Sequence, residues 1–176
     1  TKEYDGTPLK AEGSISGFVT PTGGTQETAT FEVTGSQTEV GKSDNTYTLT
    51  WNGTATESDY TLDKTIGELE VKKSTKELKV ESADGEWTYD GNAHTKYEYT
   101  VTYGEESYNV KIEGEATTGT VELSTGDVVT ITPAAAATIT HVAETTVDNA
   151  FTWTVEHDTF YTTESKIGRA SCRERV

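Results

Sequence analysis

Apolar and polar residues alternate at period two along most of the chain, in runs such as Glu77-Leu78-Lys79-Val80-Glu81-Ser82 and Phe151-Thr152-Trp153-Thr154-Val155. Alternation of this kind turns one face of a strand toward a core and leaves the other in water. It predicts strands at residues 14–19, 29–34, 46–51 and 66–71 in the first half of the chain. In the second half it predicts them at 77–82, 97–103, 108–113, 120–123, 128–132, 137–142 and 150–155. Pro21-Thr22-Gly23-Gly24, Gly41-Lys42-Ser43-Asp44-Asn45 and Asn52-Gly53 break the pattern and mark turns. Pro133 followed by four alanines suits the first turn of a helix, although so short a run needs tertiary packing to hold it. The expected class is all-β, built as β-grasp-like or β-sandwich-like domains.

Two landmarks recur in the same order, which is the signature of internal duplication. Tyr4-Asp5-Gly6 returns as Tyr89-Asp90-Gly91, and Asp44-Asn45-Thr46-Tyr47 through Trp51 returns as Asp148-Asn149-Ala150-Phe151 through Val155. Two tandem domains are therefore expected, at residues 1–73 and 76–165, joined by Lys72-Lys73-Ser74-Thr75. The second carries extra residues between its landmarks, placed around 105–130 as an added hairpin. It also has a strand at 77–82 ahead of its Tyr-Asp-Gly, whereas the first begins almost at Tyr4. Both domains are expected to be truncated, the first lacking its first strand and the second its last.

Composition narrows the function. Thirty acidic residues against fourteen basic ones give a formal net charge of −16. Binding to phosphate backbones needs clustered Lys and Arg, so nucleic acid is an expected non-partner. No stretch approaches the roughly 20 apolar residues of a membrane helix, and no membrane insertion is expected of this segment. The 36 threonines suit exposed sheet faces.

Residues 166–176 differ from the rest: they hold every arginine (Arg169, Arg173, Arg175) and the only cysteine, Cys172. Back-translated, the segment resembles read-through into a sequencing adapter. It is set apart from the two domains as an artefactual tail, expected to hang free. Without it the chain has no cysteine and so no disulfide or thiol chemistry.

The chemistry-bearing residues form no catalytic set. His94, His141 and His157 are scattered, with none of the paired spacing a zinc site needs, and no calcium loop motif appears among the acids. No metal, cofactor or catalytic residue is expected, and the chain is read as a non-enzyme. Tyr4, Tyr47, Trp51, Tyr89, Phe151 and Trp153 recur at strand spacing, and core packing explains them better than a sugar-stacking face. Trp87 has no aromatic counterpart in the first domain. With Tyr97 and Tyr99 it forms the candidate ligand-binding face.

The landmarks resemble those of Tyr-Asp-Gly and MBG-type repeat domains, which occur in tandem in large bacterial surface proteins and adhesins. The first domain carries the pattern in Tyr4-Asp5-Gly6-Thr7-Pro8-Leu9, in Gly35 to Gly41, in Asn45-Thr46-Tyr47, in Asp59-Tyr60 and in Gly67-Glu68-Leu69-Glu70-Val71. The second departs from it at Asn92-Ala93-His94 and at Thr140-His141-Val142-Ala143. The residues that carry the repeat motif are Tyr4, Asp5, Gly6, Asn45, Trp51, Tyr89, Asp90, Gly91 and Asn149. The resemblance implies a structural or adhesive module in the stalk of a protein at a bacterial cell surface or cell wall. Its partners would be neighbouring repeats, with weak binding of host glycan or extracellular protein. The alternative is a dedicated carbohydrate-binding module.

Overall fold

A computed structural model describes residues 1–142 and 146–174. The chain is all-β. It divides into two compact units, Thr1–Lys72 and Lys73–Val176.

Unit one contains β1 (Lys2–Glu3), β2 (Thr30–Val33), β3 (Gly41–Asp44), β4 (Tyr47–Thr50) and β5 (Glu68–Lys72). β5 is the middle of a three-stranded sheet, parallel to β1 and antiparallel to β3. Its inward residues Leu69 and Val71 are buried together with Tyr4. β2 and β4 pair antiparallel, with Phe31 opposite Leu49 and Val33 opposite Tyr47. The inward residues of this pair are only half-buried.

Unit two contains β6 (Glu77–Ser82), β7 (Gly85–Thr88), β8 (Glu98–Tyr103), β9 (Glu106–Lys111) and β10 (Gly119–Glu122), followed by β11 (Val128–Pro133), β12 (Val147–Asp148), β13 (Phe151–Val155), β14 (Thr162–Lys166) and β15 (Arg169–Arg173). Its largest sheet runs β14-β6-β8-β9. There the period-two pattern is obeyed strictly. Leu78, Val80, Tyr99, Val101 and Tyr103 are buried, while Lys79, Glu81, Thr100 and Thr102 between them stay half-exposed. β10-β11-β13 and β12-β15-β7 are the other sheets.

The two units share one frame. β7 precedes Tyr89-Asp90-Gly91 and pairs parallel with β15, as β1 precedes Tyr4-Asp5-Gly6 and pairs parallel with β5. β12 pairs antiparallel with β15 as β3 does with β5. Asn45 N–H donates to Gly67 O at 2.7 Å, and Asn149 N–H to Gly168 O at 2.8 Å. Ile131 opposite Trp153 on β11 and β13 answers Phe31 opposite Leu49 on β2 and β4. β9 and β10 have no counterpart in unit one.

Several expectations are corrected. Residues 166–176 do not hang free over their described length. Arg169–Arg173 is β15, with Ala170 and Cys172 buried at 3% and 6% exposure against Ile139 and packed by Trp87, Val142 and Val147. This segment fills the place of the closing strand that unit two was expected to lack, because its small inward side chains leave room for the Trp87 indole. Residues 14–19 form no strand. Two of their positions are serine, Gly17 has φ +94°, and no strand pairs with them. Residues 137–142 make only the isolated bridge of Ile139 to His94, and the alanines after Pro133 form a turn rather than a helix. Ser74, expected in a linker, is buried in unit two, with its hydroxyl 2.7 Å from that of Tyr103 and its N–H donating to Phe160 O.

Packing in β15 shields the Cys172 thiol in the native chain. Ellman's reagent should then react with it only on unfolding, and an immediate reaction in native buffer would return the segment to a loose tail.

Candidate functional site

The Tyr-Asp-Gly motif is a closure device. In each copy the tyrosine N–H donates to the closing strand, Tyr4 to Lys72 O at 2.8 Å and Tyr89 to Arg173 O at 2.9 Å. The aspartate side chain then caps the turn. Asp5 Oδ1 accepts from Thr7 N–H at 2.8 Å, and Asp90 Oδ1 accepts from Asn92 N–H at 2.9 Å. Gly6 and Gly91 take φ +78° and +84°, a conformation that side chains disfavour. In unit one the Lys2 ammonium donates to Asp5 and to Thr7 O. In unit two Trp87 stands where Lys2 stands, and His94 Nε2–H donates to Asp90 at 2.9 Å while its ring stacks on Trp87 at 5.2 Å. The hydrogen bond from Lys2, and in unit two those from Asn92, hold both aspartate carboxyls down at about 2. Tyr4 is buried, whereas Tyr89 is exposed and tilted against His141.

Asn45 and Asn149 sit at the other landmark, and their side chains differ in what they hold. Asn149 is 1% exposed, and its Nδ2 donates to Ala83 O at 2.9 Å and Lys96 O at 2.7 Å. It thereby ties the end of β6 to the segment before β8. Ser82 Oγ donates to Asn149 O at 2.7 Å and accepts from Gly168 N–H at 2.9 Å, which locks the same corner. Asn45 Nδ2 has only contacts of 3.5 Å to Ala11 O and Glu12 O.

The candidate ligand-binding aromatics do not form one face. Trp87 is half-buried on β7, its ring lying against Gly85, where a Cβ would collide with it. Tyr97 is half-buried just ahead of β8, in another sheet. Tyr99 is 2% exposed, edge-on to Phe151, so it offers no surface to a ligand. Burial pushes its hydroxyl up to about 12. Trp51 stacks on Tyr60 at 5.7 Å beside Phe18.

That aromatic group lines a groove in unit one of about 550 Å³. Residues 12–18 form one wall, residues 60–65 the other, and Phe31, Val33, Tyr47, Leu49 and Trp51 the floor. The sequence pattern does not show the groove, because it predicts a strand at residues 14–19, which form an irregular wall instead.

A tyrosine–carboxylate pair, also missed, occurs in both units. Tyr161 O–H donates to Asp127, which is 4% exposed, and the Thr125 hydroxyl lies 2.7 Å from that of Tyr161. His157 Nδ1 meets Asp127 Oδ1 at 3.0 Å with its ring stacked on Phe160. In unit one Tyr60 O–H donates to Glu27, and this bond raises the tyrosine pKa. Each tyrosine follows a 3-10 turn, Glu57–Asp59 or Asp158–Phe160. No group of three or more His, Cys, Asp and Glu that could hold a metal ion occurs among the described residues.

No protein-family model, no curated protein and no solved structure matches the chain.

Two outcomes test this account. Aspartates with pKa lowered from 3.8 to about 2 stabilise the fold above about pH 4, and that contribution disappears as pH falls toward 2. The double variant Asp5→Asn, Asp90→Asn should therefore lose less stability than the parent between those pH values in chemical denaturation, and parallel acid limbs would contradict it. Tyr161→Phe removes a hydrogen bond to a buried carboxylate and should cost about 2 kcal/mol. Tyr60→Phe, at a half-exposed site, should cost less, and equal losses would contradict the difference in burial.

Proposed function

We propose that the chain is a pair of non-catalytic repeat modules from the stalk of a bacterial cell-surface protein, displayed outside the cell and carrying mechanical load between neighbouring repeats. Weak binding of glycan or extracellular protein would be secondary. The observation that carries this reading is the way each unit is closed. In unit one the first and last strands, β1 and β5, are parallel neighbours. In unit two the first strand β6 is parallel to β14, and the last strand β15 is parallel to β7. Tension between the ends of such a unit runs along these pairs and loads their hydrogen bonds in shear, so several must break together.

The same frame with different inward residues also supports a scaffold role. Leu69 and Val71 in one unit are answered by Ala170 and Cys172 in the other, with Trp87 in place of Lys2 to restore the volume. The titration shifts at Asp5 and Asp90 arise in turn caps, where they serve closure. A carbohydrate-binding module would need flat, accessible aromatics, and the burial of Tyr99 speaks against the face suggested for it.

Single-molecule pulling on the full chain between its ends tests the load-bearing role. Two separate force peaks are expected, with unit one yielding first. Its parallel closure spans two registered residue pairs, whereas β6 with β14 spans five and β15 with β7 four. Extension of both units without a resolvable peak would overturn the role.

A further inference from the structure

We propose that Asn52 is a self-modification site, at which the folded chain deamidates through a succinimide formed with the Gly53 nitrogen, with water as the co-reactant. This goes beyond load bearing and does not depend on it.

The fold requires glycine at position 53 and leaves its nitrogen bare. After β4 the chain bends back against residue 28, where Thr28 N–H donates to Thr54 Oγ1 and Ala55 N–H to Thr28 O, both at 3.0 Å. A Cβ on Gly53 would stand 2.2 Å from Thr28 O, so no side chain fits there. Gly53 N–H makes no hydrogen bond among the described residues. Asn52 itself is exposed. Its Oδ1 accepts from the Thr30 hydroxyl at 2.7 Å, which draws electrons from Cγ, the carbon to be attacked. Its Nδ2, the leaving group, is held by no partner among the described residues and faces water. Nucleophile, electrophile and leaving group are thus all in place on two adjacent residues. The Gly53 nitrogen bonds to Cγ and gives its proton to water, and the Cγ–Nδ2 bond breaks with release of ammonia. Water then opens the ring at either carbonyl, leaving aspartate or the isoaspartate whose main chain runs through Cγ.

The other candidates are each blocked. Of five asparagines, Asn52 alone precedes glycine. Asn149 is buried with Nδ2 on two carbonyls, and Asn92 Nδ2 donates to Asp90 Oδ2 at 3.1 Å. Asn109 lies inside the β9 ladder, and the nitrogen after Asn45, that of Thr46, donates to Asp44 O at 3.0 Å. Three aspartates also precede glycine. Asp5 and Asp90 are held as carboxylates, at about 2, and a carboxylate is a poor electrophile. Asp84 Oδ1 accepts from Arg169 N–H at 2.6 Å.

Conversion would change unit one and leave unit two intact. Aspartate at position 52 adds a negative charge but keeps an oxygen for Thr30. Isoaspartate lengthens the main chain by one carbon just ahead of Gly53, where the approach to Thr28 O leaves no room. It pulls Thr54 and Ala55 off Thr28 and frees the end of the β2–β4 pair, so the age of the chain sets the stability of unit one.

The test holds the full chain, folded, in mildly alkaline buffer made with heavy-oxygen water and samples it over time by peptide mass spectrometry. Replacement of NH2 by labelled OH is expected at Asn52, as a mixture of aspartate and isoaspartate, with the other four asparagines unchanged. Asn52→Gln should abolish it. Thr30→Val, checked for folding by circular dichroism, should slow it about threefold, the loss of one polarising hydrogen bond. An equal or faster rate in that variant would contradict the role given to Thr30. Amide exchange in Thr30–Val33 and Tyr47–Thr50 should quicken in the isoaspartyl fraction, and unchanged exchange would contradict the structural consequence. Conversion only after unfolding in denaturant, equally fast conversion of another asparagine, or aspartate formed with no isoaspartate would overturn the proposal.

Discussion

A strand keeps its extended form only when neighbours accept and donate along its backbone and when its apolar face is covered. In unit two a single strand, β6, meets both needs for the segments on either side. It completes the ladders of β8 and β14 and buries Leu78 and Val80 at the centre of the core. Its end is fixed by Ser82 and by the Asn149 amide, which spans from Ala83 O to Lys96 O. Most of the difference between the units follows from the presence of that strand in one and its absence from the other. Unit one keeps the closing sheet, the turn and the β2–β4 pair, but its two walls remain irregular and its aromatic floor remains half-open.

The period-two pattern made β6, β8, β11 and β13 legible in the sequence, because their inward residues are large and apolar and their outward ones polar. It misled at residues 14–19, where Ile15 and Phe18 suggest a strand but the positions equivalent to Tyr99 and Val101 are serines. It was silent on β15, whose inward residues are only Ala170 and Cys172 and whose pairing depends on a neighbour some 85 residues away. The tyrosine–carboxylate pairs were hidden for the same reason, since Glu27 and Tyr60, or Asp127 and Tyr161, are more than thirty residues apart.

The recurring landmarks were visible as words before their work was known. Tyr-Asp-Gly turns out to be the clasp between the first-strand segment and the closing strand, and the Asp-Asn step carries the amide that secures a strand end. Both tasks are structural, and both occur at the parallel pairs through which tension between the chain ends would run. The substitution of Lys2 by Trp87 with His94 shows how the clasp is kept while its chemistry changes: an ammonium on the aspartate gives way to an imidazole stacked on an indole.

Amide hydrogen exchange on the full chain, read residue by residue, tests the central claim that β6 holds β8 and β14 as strands in unit two while residues 13–18 and 61–65 of unit one stay irregular. The account predicts slow exchange in Glu77–Ser82, Glu98–Tyr103 and Thr162–Lys166, and fast exchange in residues 13–18 and 61–65, with β3 and β5 protected. Equal protection of residues 13–18 and 61–65 with their counterparts in unit two would contradict it.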